Sequence, residues 1–413
     1  MRIAMVSEHA SPLAALGGPD AGGQNVYVAR LSEELARRGH DVTVHTRRDD
    51  PGLPDRVRMP AGTVVHHVPA GPAEPIPKDE LLAHMPEFGE HLDRVWARER
   101  PDAVHAHFWM SGLAARDGAR PHGIPVVQTF HALGTVKRRH QGALDTSPVQ
   151  RLSLERRLGG DCDRVIATCS DEVAELAAMG VPGERVSVVP CGVDTTEFRP
   201  GPDLTGAPAR RYRRRLLACG RLVPRKGYDR AVRALAEIPD TELLVVGGPF
   251  ACRTENAPDL ADAVPEAARL LALAEELGVA DRLRMLGAVS RDRMPALMRS
   301  ADLVLCTPSY EPFGIVPLEA MACGVPVLAT DVGGHRDSVA DRTTGRLVPP
   351  DDPGTLALAA RELLDDDALR RAYGAAGRAR VLDRFTWRRV ADGVEEVYRQ
   401  VAAGRELSSS EVA

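Results

Sequence analysis

The stretch that decides the fold is residues 1–46, MRIAMVSEHASPLAALGGPDAGGQNVYVARLSEELARRGHDVTVHT. A strand-like run, RIAMVS (2–7), is followed by the glycine-rich segment LGGPDAGGQNVYV (16–28). An amphipathic helix over 25–39, which Gly39 closes, leads into a second strand, DVTVHT (41–46). Apolar strands that alternate with helices are typical of a parallel sheet covered on both faces. The stretch therefore predicts a doubly wound α/β domain.

The same alternation continues along the chain in two series. Further strands are predicted at 63–68, 103–107, 125–130, 164–169 and 186–190, and then at 214–220, 242–248, 282–287, 302–307, 326–330 and 345–350. Two series predict two domains that face a cleft, with ligands at the carboxyl ends of the strands. We expect a first domain at 1–198, a Pro-, Gly- and Arg-rich linker at 199–213, a second domain at 214–385, a helix at 386–407 and a disordered tail at 408–413.

Composition excludes several classes of protein. A net charge of −5 and a pI near 6.2 give no basic field for nucleic acid or anionic lipid. No apolar run has the length of a membrane span or a signal peptide. The seven scattered cysteines indicate reduced, buried thiols, so we expect a cytoplasmic protein. Asp161 and Asp163 have Asp-x-Asp spacing, but they precede a strand at its amino end, which disfavours a metal site.

The glycine-rich segment is suited to an anion, because backbone N–H groups at a helix start can face it. Its pattern, GG-x-x-x-GG, differs from the GxGxxG of dinucleotide-binding proteins. Arg47 and Arg48 follow the second strand, where an NAD-binding protein needs an acidic residue. Hydride chemistry is therefore disfavoured, and phosphate or sugar contact is expected, with a tight surface turn as the alternative.

Two later segments offer charged groups. CGRLVPRKG (219–227) supplies Arg221 and Lys226, which could bind phosphate oxygens or lie solvated in a loop. SYEPFGIVPLEAMACG (309–324) places Glu311 just before a predicted helix and Glu319 about one turn inside it. The free N–H groups at the helix start would form an anion site flanked by both carboxylates; they belong to Phe313, Gly314 and Ile315.

Histidines mark the carboxyl ends of two predicted strands. His131 follows the strand at 125–130, and His105 and His107 end the strand before it. A histidine inside a strand is usually a core residue, as we expect for His105. His107 and His131 are expected to face a ligand, His131 more strongly.

In this order, GGPDAGGQN, GRLVPRKG and the spaced pair Glu311 and Glu319 resemble the retaining nucleotide-sugar transferases of glycosyltransferase family 4, which have the GT-B fold. The resemblance covers essentially the whole chain. It implies that Arg221 and Lys226 neutralise the donor diphosphate, that Glu319 binds the ribose and that Glu311 reaches sugar hydroxyls. It further implies donor contacts from Gly22, Gly23, His131, Met285 (at the uracil), Phe313, Gly314 and Ile315. The helix at 386–407 should pack back on the first domain.

The family mechanism follows from charge. Cleavage of the sugar–phosphate bond develops negative charge on the diphosphate, which Arg221, Lys226 and helix N-termini would stabilise without a metal or another cofactor. The resemblance implies that the acceptor attacks the face that the nucleotide leaves, with a phosphate oxygen as base, so configuration is retained.

Within the family, HAHFWMSG (105–112) and TFHALGTVKRR (129–139) are similar to sucrose-phosphate synthases and to the inositol-phosphate N-acetylglucosaminyltransferase of mycothiol synthesis. The latter binds its acceptor phosphate with Lys, Tyr, Thr and Arg. Lys78 matches the Lys, Phe108 and Ala132 stand in place of Tyr and Thr, and the Arg aligns near 151–152. The resemblance implies acceptor contacts from Asp20, Asn25, Lys78, His107, Phe108, Ala132 and Lys137.

The function expected is hexosyl transfer from a UDP-sugar, such as UDP-N-acetylglucosamine or a UDP-glucose-like donor, to a cyclitol, aminocyclitol or sugar, as in secondary metabolism. The alternatives are the inositol-phosphate reaction and nucleotide-sugar 2-epimerisation, which needs no acceptor. A catalytically silent nucleotide-sugar sensor is disfavoured, because it would lack one of Arg221, Lys226, Glu311 or His131, and all four are present. A glycoside hydrolase is excluded, because its two carboxyl groups must converge within roughly 5–10 Å across the scissile bond. Glu311 and Glu319 are instead expected to contact different parts of the donor. The partners expected are the two substrates, with no nucleic acid and no integral membrane contact; a homodimer is left open.

Overall fold

The structure, a computed structural model, describes residues 1–14, 22–248, 260 and 264–410. These residues form two compact units. The first unit contains the described residues up to Pro190 and the chain from Trp387 onward, and the second unit is Cys191–Thr386. Within the described residues, no helix is both long and apolar enough to cross a membrane.

The first unit is built on an eight-stranded sheet. Its strands are β1 (Arg2–Val6), β2 (Asp41–Arg47), β3 (Arg56–Arg58), β4 (Val64–Val68), β5 (Ala103–His107), β6 (Val126–Thr129), β7 (Arg164–Ala167) and β8 (Val186–Val188). Their order is β3-β4-β2-β1-β5-β6-β7-β8, and every pair is parallel except β3 with β4. The helices are α1 (Gly23–Arg37), α2 (Met85–Trp96), α3 (Trp109–Ala119), α4 (Gly134–Gln141), α5 (Arg151–Asp161) and α6 (Ser170–Ala178).

The second unit contains a six-stranded parallel sheet. Its strands are β9 (Arg214–Cys219), β10 (Thr241–Val246), β11 (Leu283–Met285), β12 (Leu303–Cys306), β13 (Val327–Thr330) and β14 (Gly345–Val348), in the order β11-β10-β9-β12-β13-β14. Its helices are α7 (Tyr228–Ala236), α8 (Pro265–Glu276), α9 (Met294–Ser300), α10 (Ile315–Ala322), α11 (His335–Ser338), α12 (Pro353–Asp365) and α13 (Asp367–Arg384); α14 (Trp387–Ser410) returns to the first unit. Apolar clusters bury both faces of this sheet, which explains its near-continuous apolar strands.

These sheets confirm the predicted α/β class and the two Rossmann-like domains. Each parallel strand that the sequence predicts is present, and Gly39 lies just after α1 with a φ of 88°, as the expected helix end requires. The three-residue antiparallel strand β3 was not predicted, because it is too short to show a period.

The strand order reverses direction once in each sheet. In the first unit β1 lies between β2 and β5, and in the second unit β9 lies between β10 and β12. Ligands of doubly wound sheets bind beyond the carboxyl ends of the strands at such a switch point. The loops after β1, β5, β9 and β12 are therefore where each unit is expected to bind a ligand.

The first unit ends at Pro190, which corrects the boundary expected at 198 and the linker expected at 199–213. Phe198 is fully buried in the core of the second unit. Arg299 donates to the carbonyl oxygens of Arg199 and Asp203, and Arg210 pairs with a carboxylate of the second unit. Proline, glycine and arginine suggested a solvated linker, but their carbonyls and guanidinium groups anchor the segment to the sheet.

Helix α14 packs against α1 in the first unit. Arg38, just after α1, forms ion pairs with Asp392 and Glu395 of α14 at 2.8 and 3.1 Å. On the buried face, the Tyr398 hydroxyl lies 2.7 Å from His105 Nδ1. The helix ends at Ser410, so three residues of the expected tail are helical, and 411–413 lie outside the described residues.

Candidate functional site

In the second unit, the loops after β9, β12 and β13 meet at the switch point. The Ser309 amide donates to the Arg225 carbonyl at 2.9 Å, which joins the loop after β12 to the loop after β9. The Gly334 amide donates to the Glu311 carbonyl at 2.8 Å, which adds the loop after β13. Segments 85 residues apart, such as those of Lys226 and Glu311, are thereby brought into contact.

Lys226 and Glu311 form an ion pair in this site. Their side chains are only 16% and 13% exposed, so water screens the pair weakly. Burial alone would raise the pKa of the Glu311 carboxyl, but Lys226, Arg225 and His335 outweigh it and lower the pKa to about 2. The sequence predicted both residues of this pair; their direct contact is a finding of the structure.

Helix α10 begins beside this pair. Gly314 is its N-cap residue, with a φ of 73° in the left-handed region, and a Cβ there would lie 2.9 Å from Ser338 Oγ. Both the conformation and the lack of space favour glycine. The predicted helix start is thus confirmed, and the first N–H groups of Ile315 and its neighbours are oriented as in an anion-binding helix N-terminus.

Glu319 lies inside α10 and is paired with a cation that the sequence did not identify. Arg291 NH1 is 3.1 Å from Glu319 Oε1, and the same guanidinium also pairs with Glu197 at 3.4 Å and lies over the Phe198 ring. Burial raises the pKa of the Glu319 carboxyl, while Arg291 opposes that effect. Glu319 is therefore a buried acid paired with Arg291, whereas Glu311 is paired with Lys226.

Met285 lies in β11, the last strand of the second sheet. The Leu286 amide donates to the Val245 carbonyl, and the Leu243 amide donates to the Arg282 carbonyl. The even-numbered residues of this segment therefore make the hydrogen bonds to β10. The N–H and C=O of Met285 therefore point away from β10, as recognition of a base by this strand would require. Arg221 is exposed at the carboxyl end of β9.

His335 was missed by the sequence analysis. It follows β13, is buried at 1% exposure, and its Nδ1 lies 2.9 Å from the Thr330 carbonyl. It lowers the pKa of Glu311 together with Lys226. The signal was available, since Gly333, Gly334 and His335 lie in the loop after β13, as Gly220 and Arg221 lie in the loop after β9.

In the first unit, His107 and His131 lie together at the carboxyl ends of β5 and β6. His107 Nδ1 is 3.0 Å from His131 Nε2, and the rings are stacked. Burial lowers the pKa of both imidazoles well below 6.5, so both are neutral at neutral pH. His107 is completely buried and contacts His131, and the acceptor contact expected for it from the sequence stays a prediction.

Phe108 and His131 both have positive φ angles, 81° and 62°. Non-glycine residues rarely adopt this region, and such backbone geometry concentrates at functional sites. The two residues follow neighbouring strands next to the switch point of the first sheet. The backbone therefore turns sharply at the two positions where the sequence predicted ligand contact.

Phe108 is enclosed by two cations. Lys78 Nζ lies 5.8 Å and the Arg151 guanidinium 5.1 Å from the ring centre. Arg151 also donates to the Ala132 carbonyl at 2.6 Å. Lys78, Phe108, Ala132 and Arg151 thus cluster in space, so Arg151 lies together with the residues that the resemblance aligns with acceptor positions.

Two polar residues near Phe108, Glu8 and His9, were missed by the sequence analysis. Glu8, buried just after β1, accepts from the Ser111 hydroxyl and lies 2.7 Å from His9 Nδ1. The His9 ring meets the Phe108 ring edge-on, with centres 4.9 Å apart. The carboxylate therefore orients His9 at the carboxyl end of β1.

The start of α1 is held by side chains of its own first turn. Asn25 accepts from the Gly22 amide and donates to the Ser11 carbonyl, both at 3.0 Å, and it is almost completely buried. Gly22 is the N-cap and Gly23 the first residue of the helix. Asn25 therefore shapes the turn; Asp20 lies outside the described residues.

Lys137 is engaged by acidic and hydroxyl groups. Its Nζ lies 3.0 Å from Asp145 and 2.8 Å from Ser147 Oγ.

Asp161 pairs with Arg116, and Asp163 accepts from the Val126 amide, so the two aspartates are used in structural contacts. Within the described residues, no group of three or more His, Cys, Asp or Glu side chains could hold a metal ion.

Comparison with known proteins is consistent over both units. Residues 21–197 match the model of "Glycosyltransferase Family 4", and residues 208–380 match "Glycosyl transferases group 1". The chain is 38% identical to D-inositol 3-phosphate glycosyltransferase of Acidothermus cellulolyticus, over 99% of this chain and 92% of that protein. It is 37% identical to D-inositol 3-phosphate glycosyltransferase of Kineococcus radiotolerans, over 98% of this chain and 96% of that protein.

Solved structures give the same result. Sucrose-phosphate synthase from Thermosynechococcus elongatus superposes with a TM-score of 0.87 at 33% identity, covering 98% of this chain and all of that one. Anabaena HepE in complex with UDP and glucose has a TM-score of 0.73 at 19% identity over 97% of this chain and all of that one, which shows a shared fold. The chain therefore belongs to glycosyltransferase family 4, and it is a glycosyltransferase with the two Rossmann-like domains of the GT-B fold.

Proposed function

We propose that this glycosyltransferase transfers a hexosyl group from a UDP-sugar to a small polar acceptor with retention of configuration. The observation that carries the proposal is the Lys226–Glu311 pair beside the start of α10. This arrangement supplies a cation and helix N–H groups for a diphosphate, and a carboxylate for sugar hydroxyls. Glu319 and the outward edge of Met285 are suited to a ribose and a base.

The chemistry needs stabilisation of a leaving group. The bond between the anomeric carbon and the diphosphate oxygen breaks, and its electron pair stays on the diphosphate, near Lys226 and Arg221. The acceptor oxygen bonds to the anomeric carbon from the same face, and its proton passes to a phosphate oxygen. We propose that no metal or other cofactor takes part, because the two cations and the helix N-terminus provide the neutralising charge.

For the acceptor, the cluster around Phe108 favours an unphosphorylated cyclitol, aminocyclitol or sugar. Phe108 and Ala132 offer no hydroxyl donor. Arg151 already donates to Glu155 at 2.7 Å, to Ser147 at 3.1 Å and to the Ala132 carbonyl. An arginine held by three protein acceptors has fewer N–H groups for a phosphate.

An inositol phosphate is the second candidate acceptor. The relatives named as D-inositol 3-phosphate glycosyltransferases match almost the whole chain, and Lys78 remains within the Phe108 cluster. One cation on that cluster could still bind a phosphate group.

A binding experiment tests the donor. Titration calorimetry with UDP, UDP-N-acetylglucosamine, UDP-glucose and GDP-mannose should show binding of the uridine compounds, and Lys226→Ala should weaken it. Arg346→Ala is a matched control, because Arg346 is an equally buried, ion-paired cation of the second unit on the far edge strand β14. The donor proposal fails if no nucleotide sugar binds, or if both variants behave alike.

A product assay tests the acceptor and the reaction class. Each bound UDP-sugar is incubated with inositol, inositol 3-phosphate, an aminocyclitol or glucose, and the products are identified by mass spectrometry and by the anomeric proton coupling in NMR. An axial product linkage from an axial donor supports retention. Turnover only with inositol 3-phosphate would select the second candidate, and conversion of the UDP-sugar to its 2-epimer without acceptor would refute transfer.

A further inference from the structure

The carboxyl group of Glu8 lies buried just after β1, at the switch point of the first sheet. One of its oxygens accepts from the Ser111 hydroxyl, and the other lies 2.7 Å from His9 Nδ1. The Glu8 amide donates to Ser111 Oγ at 2.9 Å, and the Glu8 carbonyl accepts from the Arg47 amide at 3.1 Å. Both the backbone and the side chain of Glu8 are therefore held in one place.

Glu8 differs from Glu155, a second buried carboxyl group of the first unit, in its partners. Glu155 pairs with Arg151 at 2.7 Å, and both side chains are almost completely enclosed. Among the residues that the structure describes, Glu8 pairs with His9 and with no lysine or arginine. The segment 15–21, outside the described residues, contains neither residue type. Because burial of a carboxylate without a cation is unfavourable, a positively charged ligand could balance the charge of Glu8.

His9 connects the Glu8 carboxylate with the Phe108 ring. A carboxylate only accepts hydrogen bonds, so His9 Nδ1–H donates to Glu8. The same histidine ring meets the Phe108 ring edge-on. With Nδ1 donating to Glu8, a neutral His9 has a lone pair, on Nε2, for other groups. The Glu8–His9 pair therefore offers a negative charge and an acceptor nitrogen, which suit a ligand with positively charged N–H donors.

The cations at the Phe108 ring are balanced by carboxylates. The Arg151 guanidinium, 5.1 Å from the ring centre, is paired with Glu155. Lys78 adds one positive charge over the ring, and Glu8 adds one negative charge behind His9. Over these four side chains the positive and negative charges are equal in number. A phosphate group would therefore bring its negative charge close to a buried carboxylate, whereas an ammonium group would bring the opposite charge.

We propose that Glu8 is a specificity-determining residue through which the cluster around Phe108 selects an acceptor that carries an ammonium group, as an aminocyclitol does. The inference rests on the proposed function and narrows its acceptor to one chemical class. Glu8 is enclosed, so water screens its charge weakly. At a separation of several ångströms, such a carboxylate should favour an ammonium group over a hydroxyl by about tenfold.

Calorimetry with matched acceptors tests the selection on the unmodified protein. In the presence of saturating UDP, the protein is titrated with scyllo-inosamine, scyllo-inositol, N-acetyl-scyllo-inosamine and inositol 3-phosphate. The first two differ in an ammonium group against a hydroxyl, and acetylation keeps the nitrogen but removes its charge. We expect the Kd of scyllo-inosamine to be at least about tenfold below each of the other three. Equal Kd values, tighter binding of inositol 3-phosphate, or no binding of scyllo-inosamine would overturn the proposal.

The variant Glu8→Gln assigns the selection to this residue, because it keeps the shape of the side chain and removes its charge. Glu172→Gln is a matched control, since Glu172 is also a buried carboxyl group of the first unit and accepts from the Thr168 hydroxyl at 2.9 Å. We expect the ratio of the Kd of scyllo-inositol to that of scyllo-inosamine to fall to about one in Glu8→Gln and to stay unchanged in Glu172→Gln. The ratio compares two ligands on the same protein, so a general loss of stability does not change it. An unchanged ratio in Glu8→Gln would contradict the proposal.

A failure of this inference differs from a failure of the proposed function. Hexosyl transfer to scyllo-inositol and scyllo-inosamine with equal kcat/KM would leave the proposed function intact and overturn the selection by Glu8. Absence of transfer to every acceptor would refute the proposed function, and the calorimetric comparison, which needs no turnover, would still decide whether Glu8 selects an ammonium group.

Discussion

The Lys226–Glu311 pair leads to opposite expectations for its two members in the binding of free UDP. Lys226→Ala removes a charge-assisted hydrogen bond to phosphate, worth about 1.5–3 kcal/mol, which weakens UDP binding by roughly 10- to 150-fold. Glu311→Gln removes a carboxylate that competes with the diphosphate for the same ammonium group. We therefore expect Glu311→Gln to bind UDP more tightly than the unmodified protein.

The size of that gain follows from the pKa of Glu311. A pKa of about 2 against an ordinary value of 4.5 corresponds to roughly 3 kcal/mol at 1.36 kcal/mol per pKa unit. Lys226 is only one of the groups that lower this pKa, so the part lost when a phosphate takes the place of Glu311 is about 1 kcal/mol. UDP affinity should rise about fivefold in Glu311→Gln.

Titration calorimetry with UDP measures both effects. UDP is used because it lacks the sugar that Glu311 is proposed to contact, and the double variant should bind no more weakly than Lys226→Ala alone. With a UDP-sugar, Glu311→Gln should instead lose turnover. If Glu311→Gln weakens UDP binding as much as Lys226→Ala does, then Glu311 is not a competitor of the phosphate and the reasoning is refuted.

Three further predictions concern other contacts. Glu319→Gln should raise the donor Kd about tenfold in calorimetry with little change in kcat. Arg291→Met leaves the buried Glu319 without its cation, so it should also lower the melting temperature. Equal melting temperatures of Arg291→Met and the unmodified protein would contradict this. Gly314→Ala places a Cβ 2.9 Å from Ser338 Oγ at a positive φ, so UDP affinity should fall about tenfold, and an unchanged Kd would show that the helix start is not needed. Burial lowers the pKa of His66 to about 4, below the 6.5 of the unfolded chain, so the unfolded chain binds the extra proton. The free energy of unfolding of the first unit should therefore fall as pH drops from 6.5 to about 4, less so in His66→Asn, as followed by fluorescence of the tryptophans, all of which lie in that unit.

Patterns of local origin were predictable from the sequence. The strands of both sheets show as apolar runs, and the start of α10 shows as glycine followed by an apolar helix with Glu319 one turn inside. The rule that ligands bind at carboxyl ends of strands then placed Lys226, Glu311 and His131 at strand ends. These features depend on neighbours in the chain, so a single sequence reveals them.

Pairings across the fold were not predictable. Arg291 reaches Glu319 only because the loop after β11 passes α10, and Phe198 fills the second core although it precedes a stretch with linker composition. The direct contact between His107 and His131, which end or follow neighbouring strands, was likewise not predicted. Spacing alone does not give the direction of a side chain at the last residue of a strand.

The place of α14 in the first unit has a consequence for the order in which the protein is made. Tyr398, the partner of His105, is translated 208 residues after Pro190, the last residue of the first unit before the second begins. On the ribosome, the second unit can fold as soon as it emerges, whereas the buried His105 receives its partner Tyr398 only after α14 has been made. A fragment ending at Pro190 would therefore lack its final helix, and a circular permutant that starts at Trp387 would be synthesised with each unit continuous.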